Sequence, residues 1–245
     1  MDNAPGIFFR KIGLVIFDLD GTLINAYTAV ESSINFTLRR LGFPRCDAET
    51  IRRSVGWGDR HLLEGFVGSK QVGKALRIYR RHHAQALQRG TKFLPGAERL
   101  LQELKEQKYK LAVASNRPTQ FSRIALRHLN IEKFFDYILC ADKLKKGKPH
   151  PEILILILKK LGVKRSQALY VGDMTIDVQT GRRAGVKTVA IATGSSRHQE
   201  LKQLKPFKII KRIDRLSSIL DALNKEKDHE QTKKKRKTEL AFEKG

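Results

Sequence analysis

At 245 residues the chain has room for one sizeable core, or for a core with a small inserted domain. No run of about 18 or more apolar residues occurs, which argues against a membrane-spanning helix; the N-terminal MDNAPGIFFRKIG lacks the pattern of a secretory signal, so a cytoplasmic protein is expected. Lys and Arg number 49 against 25 Asp and Glu, a formal +24, which favours anionic ligands and allows non-specific nucleic-acid contact without dictating a fold.

The first element in chain order is the apolar run Leu14 to Phe17, read as a buried parallel strand. Helical spacing follows from Tyr27 to Leu41, with Val30, Ile34, Leu38 and Leu41 on one face and Gly42 as the stop. Asp47 to Arg53 and His61 to Phe66 read as short helices around the flexible Val55-Gly56-Trp57-Gly58-Asp59, and Lys70 to Arg89 as a longer helix closed by Gly90. No strand pattern interrupts this stretch, so residues 25–93 are expected to form a helical cap inserted into an α/β unit. From Leu94 the alternation resumes: a helix from Pro95 to about Gln107, a strand at Lys110 to Ala114, a helix at Thr119 to Leu129 and a strand at Tyr137 to Cys140. A helix at Pro151 to Leu161, a strand at Ala168 to Val171, a helix at Ile176 to Ala184 and strands at Lys187 to Ile191 and Phe207 to Ile210 follow, with a closing helix at Ile213 to Leu223. The expected fold is an α/β, Rossmann-like parallel sheet covered on both faces, built from residues 1–24 and 94–224. Residues 225–245 carry eight Lys or Arg and five Asp or Glu with few apolar anchors, and read as a disordered basic tail. The rest of the chain keeps a net +21, so the charge excess belongs to the body. Cys46 and Cys140 give neither a disulfide framework nor a C-x-x-C signature.

The chemistry concentrates at strand ends. Asp18 and Asp20 follow the first strand one residue apart, where i and i+2 share a face and Gly21 lets the chain turn away. Two carboxylates this close repel unless a cation or a shared proton separates them, and a bound divalent ion is the simplest resolution. Ser115 and Asn116 end the second predicted core strand, where they either contact a ligand or cap the following helix. Lys148, within Gly147-Lys148-Pro149-His150-Pro151, is framed by two prolines that distinguish it from Lys143, Lys145 and Lys146 nearby. Asp173 ends a further strand, and Asp177 opens a helix, as a metal partner or as a complement to that helix's own dipole. Hard oxygen donors of this kind suit Mg²⁺.

In this order, Phe17-Asp18-Leu19-Asp20-Gly21-Thr22-Leu23, Ser115-Asn116, Lys148-Pro149-His150-Pro151 and Gly172-Asp173-Met174-Thr175-Ile176-Asp177 resemble the four motifs of the haloacid dehalogenase-like superfamily, in its phosphoglycolate phosphatase-like branch. The resemblance spans nearly all of Lys11 to Leu223. It implies Asp18 as nucleophile, Asp20 as acid/base, Ser115 as a hydroxyl donor to the phosphoryl group, and Lys148 as the cation screening nucleophile and phosphate. It further implies Mg²⁺ bound by Asp18, the backbone carbonyl of Asp20 and Asp173, with Asp177 a direct or indirect partner, and substrate contacts from Thr22 and Asn116. The expected function is a Mg²⁺-dependent phosphatase acting on a small phosphomonoester through an aspartyl phosphate. A sugar-phosphate mutase, or a phosphatase or binding protein associated with nucleotides or nucleic acid, stands as the alternative. Asn25-Ala26 departs from the Asp-Ser common in relatives. Arg52, Arg53, Arg60 and His61 in the cap could hold a substrate carboxylate or second phosphate, Arg60 being the chosen candidate, or could be solvated surface.

Overall fold

The computed structural model describes residues 12–225. The expected tail at 225–245 lies outside the described residues apart from Lys225. Six strands form one parallel sheet: β1 (Leu14–Phe17), β4 (Lys110–Ser115), β5 (Tyr137–Cys140), β6 (Ala168–Gly172), β7 (Lys187–Ile191) and β8 (Lys208–Ile210), in the order β5-β4-β1-β6-β7-β8. Every residue of β1 is buried, as expected of the centre of a sheet covered on both faces. Alternation then sorts the side chains. Val15, Phe17, Leu111, Val113, Leu169 and Val171 enter one core, while Leu14, Ile16, Ala112, Ala114, Ala168 and Tyr170 enter the other. Burying each large aliphatic or aromatic side chain contributes roughly 1.5–3 kcal/mol, so this pattern fixes the register strongly.

The connecting helices are α4 (Ala97–Glu106), α5 (Thr119–His128), α6 (Glu152–Leu161), α7 (Thr175–Ala184) and α8 (His198–Gln203), and the chain is helical again over 215–225. The sequence pattern anticipates all of these except α8, a six-residue helix too short for a period to register.

Between β1 and β4 lie α1 (Tyr27–Arg40), α2 (Ala48–Ser54) and α3 (Asp59–Gly90). They enclose an apolar cluster of their own that includes Val30, Ile34, Leu38, Ile51, Leu62, Leu63, Val72 and Tyr79. The two helices expected at 61–66 and 70–89 are found as two helical segments of α3 that meet at Gly68, whose non-helical φ of 74° and ψ of 167° are open only to glycine. One detail differs from the sequence expectation. The insertion is bracketed by an antiparallel ribbon, β2 (Ile24–Asn25) and β3 (Lys92–Phe93), with Ile24 opposite Phe93. Two-residue strands carry no alternation to read.

Candidate active site

Because β1, β4 and β6 run in parallel side by side, their carboxyl ends open on one edge, and the residues that follow them meet there. Asp18 follows β1, held by its N–H donating to the Val171 carbonyl at 2.9 Å. Lys148 reaches it from the loop before α6: its Nζ donates to Asp18 Oδ1 at 2.6 Å, to Asp177 Oδ1 at 2.7 Å and to the Tyr170 hydroxyl at 3.1 Å. Its backbone is fixed by Asn116, whose Oδ1 accepts from the Lys148 N–H at 2.9 Å while Nδ2 donates to the Lys148 carbonyl at 3.1 Å. Asp177 Oδ1 also accepts from the Tyr170 hydroxyl at 2.6 Å, and its Oδ2 from the Met174 N–H at 3.0 Å.

Asp173 follows β6 and accepts from the Ser195 N–H at 2.9 Å and the Thr22 hydroxyl at 3.3 Å. The packing here tolerates no extra atom. A Cβ on Gly194 would overlap the Asp173 carboxylate, and one on Gly172 would overlap Asp177. Carboxylate oxygens of Asp18, Asp173 and Asp177 all lie within 4.8 Å of one another, and all three residues are buried.

Electrostatics follow from that crowding. Burial, reinforced by Asp177 and Asp20 and opposed by Lys148, pushes the Asp18 carboxyl up to about 7. Burial together with Asp18 and Asp177 raises Asp173 well above the usual carboxylate range. Burial alone would lower the Lys148 ammonium, but Asp177 and Asp18 outweigh it and hold it charged. One buried lysine faces three buried carboxylates, an imbalance that a divalent cation on hard oxygen donors corrects. The donor set therefore fits the expected metal.

Asp20 stands apart from this group. Its carboxylate accepts from Arg117 Nη2 at 2.6 Å, an ion pair nearly closed to solvent. Burial raises its pKa, and Arg117 opposes the rise. The sequence reading did not single out Arg117, although it directly follows Ser115-Asn116 and precedes the proline that starts α5. Ser115 lies at the same edge, its Oγ accepting from the Arg117 N–H at 3.1 Å.

Asp18, Asp20, Ser115, Asn116, Arg117 and Lys148 floor a narrow cleft of about 50 Å³ between sheet edge and cap. Val30, Val55, Leu62, Tyr79 and His83 line it from the cap. The stretch expected to be flexible at Val55 to Asp59 instead closes over the floor: the Gly56 carbonyl accepts from Asn116 Nδ2 at 2.9 Å, with Gly56 and Gly58 at φ of 118° and 91°. Asn116 thus ties cap to core. Of the expected cap cations, Arg60 and His61 are exposed and neither lines the cleft. Arg52 donates to the carbonyls of Thr193 and Gly194, and Arg53 to the Ser195 carbonyl and to Glu200. They clasp the cap to the loop that holds Asp173.

A profile of the haloacid dehalogenase-like hydrolases matches residues 15–191. The chain is 31% identical over 205 residues to the phosphoglycolate phosphatase of Aquifex aeolicus, covering 82% of this chain and 96% of the relative. It is 30% identical over 218 residues to the pyrophosphatase PpaX of Bacillus mycoides, covering 87% of this chain and 99% of that protein. Among solved structures, a haloacid dehalogenase-like family hydrolase from Streptococcus pneumoniae superposes with a TM-score of 0.78 at 26% identity, over 85% of this chain and 98% of its own.

Proposed function

We propose, for a chain that belongs to the haloacid dehalogenase-like hydrolase family and is a phosphoric monoester hydrolase of it, a Mg²⁺-dependent reaction that proceeds through an aspartyl phosphate on Asp18. The observation that carries this reading is Lys148, buried with its ammonium 2.6 Å from Asp18 and 2.7 Å from Asp177, inside a cluster of three carboxylates. A lysine so placed screens an anionic nucleophile from an anionic phosphoryl group.

An Asp18 oxygen attacks phosphorus while the ester P–O bond to the leaving alcohol breaks, and Asp20 passes a proton to that departing oxygen. Water then attacks phosphorus, Asp20 takes its proton, and the P–O bond to Asp18 breaks to release phosphate. Ser115 at the same edge donates to the phosphoryl group, with Lys148 opposite. Asp18, Asp173 and the Asp20 carbonyl would hold Mg²⁺, which adds positive charge against the phosphoryl oxygens. Asp177, whose two oxygens already accept three hydrogen bonds, serves chiefly to hold Lys148 and Met174 in place.

A small substrate suits a cleft roofed by apolar cap residues and closed by the Gly56 contact to Asn116. The names of the relatives point the same way. Phosphoglycolate and pyrophosphate are both small and both carry a second anionic group beside the phosphoryl group that is transferred. We take phosphoglycolate-like monoesters as the substrate class.

Phosphate release from 2-phosphoglycolate tests this. It should cease on chelation with EDTA, return with Mg²⁺, and fall by ~10⁴-fold or more in Asp18→Asn, which keeps the shape of the side chain but loses its nucleophilic oxygen. Turnover retained by a folded Asp18→Asn protein would defeat the assignment.

A further inference from the structure

Among the described residues lining the cleft, Arg117 carries the one fully buried side-chain nitrogen or oxygen without a hydrogen-bond partner. Its side chain is 8% exposed. Nη2 is taken by Asp20 at 2.6 Å, but Nη1 is buried and finds no hydrogen-bond partner among the described residues. A buried guanidinium N–H without an acceptor is costly, and in a cleft built for anions an acceptor arriving with the ligand relieves that cost.

The other cations near the cleft have their partners already. Lys148 serves Asp18, Asp177 and Tyr170. Arg52 and Arg53 are bound to the 193–195 loop, Arg80 is paired with Asp59, and Arg60 is exposed and absent from the lining. The cap residue nearest in kind is His83, stacked on Tyr79 and edge-on to Phe121. Burial, with Arg117 adding to it, pushes His83 down to about 2, so it offers no second positive charge.

We propose that Arg117 is the specificity-determining residue: its Nη1 binds a second anionic group on the substrate, a carboxylate or a second phosphate, while its Nη2 links that binding to the position of Asp20. The inference rests on the phosphatase reading above and adds to it the residue that selects the substrate. The planar fork of the guanidinium makes the link geometrical. An anion on Nη1 lies beside the Asp20 carboxylate and repels it, and shares the charge that now holds it. The Arg117 to Asp20 contact slackens, and Asp20 is free to turn toward the leaving oxygen. A substrate without the second anion leaves Asp20 where it is. Both kcat and KM therefore depend on the second group, although it takes no part in bond breaking.

The experiment compares kcat and KM of the full-length Mg²⁺-loaded protein on 2-phosphoglycolate, pyrophosphate and ethyl phosphate, the last an alkyl ester without a second anion. The wild type should favour one of the first two, and which one it favours identifies the second group as carboxylate or phosphate. Arg117→Ala should shrink that preference over ethyl phosphate by about 10-fold to 100-fold, the worth of a lost charged hydrogen bond. Arg117→Lys, with one point charge in place of a fork, should recover part of the KM effect but little of the kcat effect. Should Arg117→Ala fail to fold by circular dichroism, Arg117→Gln, which keeps an amide donor toward Asp20, carries the same expectation. An equal slowing of all three substrates in either variant overturns the proposal and leaves Arg117 as a support for Asp20 alone. A wild type that releases no phosphate from any of them overturns the phosphatase reading first, and the proposal with it.

Discussion

The two walls of the cleft do opposite jobs. The sheet edge is charged throughout: Asp18, Asp173, Asp177 and Lys148 are buried together, and the Asp20 to Arg117 pair stands beside them. The cap wall is Val30, Val55, Leu62, Tyr79 and a neutral His83, with one charged residue, Asp59, held in an ion pair by Arg80 at 2.7 Å. Of its basic residues, Arg52 and Arg53 grip the core, Arg80 pairs with Asp59 within the cap, and Arg60 is exposed. On the proposed reading the chemistry belongs to the sheet edge, and the cap contributes a largely apolar roof to the cleft. A mostly apolar roof strengthens the interactions on the floor, and its one carboxylate, Asp59, is already neutralised by Arg80.

The contrast is sharpest at Asp20. Asp20→Asn keeps the backbone carbonyl but loses the proton carrier, so turnover should fall by ~10²-fold to 10⁴-fold while metal affinity changes little. Aryl phosphates with acidic leaving groups should be slowed less in the first step than alkyl esters, because they need no proton to depart. Equal slowing of both in single-turnover measurements would remove Asp20 as the acid.

A smaller effect separates the walls by the sign of their response to acid. His83 is depressed to about 2 against an ordinary 6.5, so the unfolded chain binds a proton that the folded cap refuses. Its contribution to stability is complete above pH 6.5 and is lost as pH falls from there toward 2, at up to ~1.4 kcal/mol per pH unit. On the floor the sign reverses. In the metal-free protein Asp18 is raised from 3.8 to about 7, so the folded state binds the proton first and gains relative stability as pH falls through that range. His83→Gln should therefore flatten the acid loss of stability below pH 6.5, measured by urea unfolding at pH 7, 6 and 5. Parallel losses in variant and wild type would show that His83 is not the source.

The smallest effect is expected at Arg60. Exposed on α3 and absent from the cleft lining, it should be replaceable by alanine with kcat/KM on 2-phosphoglycolate changed by less than about twofold, the scale of an exposed charge. A rise in KM confined to substrates with two anionic groups would move substrate recognition back to the cap.

Legibility in the sequence followed the length and regularity of each signal. The buried run Leu14 to Phe17 and the strands ending at Ser115 and Gly172 are apolar enough to be read directly, and the chemistry attached to their ends is equally visible as Asp18, Ser115 and Asp173. The break between helices at Gly68 is legible as well, because the helical patterns at 61–66 and 70–89 stop short of it on either side and its backbone there is non-helical. The ribbon of β2 and β3 and the short α8 fall below any period. Arg117 escaped notice for a different reason. Among 49 Lys and Arg, one more cation carries no signal until its burial is known.

The sequence by itself determined the parallel sheet, the insertion of helices after its first strand, and the order in which the carboxylates, the serine and the lysine appear. These are properties of local pattern: runs of apolar residues, periodicities, and polar residues at strand ends. Only the tertiary structure decided how charges are paired across distance. Lys148 meets Asp18 across 130 positions of chain, Arg117 meets Asp20 across 97, and Arg52 meets the carbonyl of Thr193 across 141. Which cation is buried against which anion depends on how the packed elements bring remote segments together, and a charged side chain looks the same in sequence whether it is solvated or sealed beneath a cap.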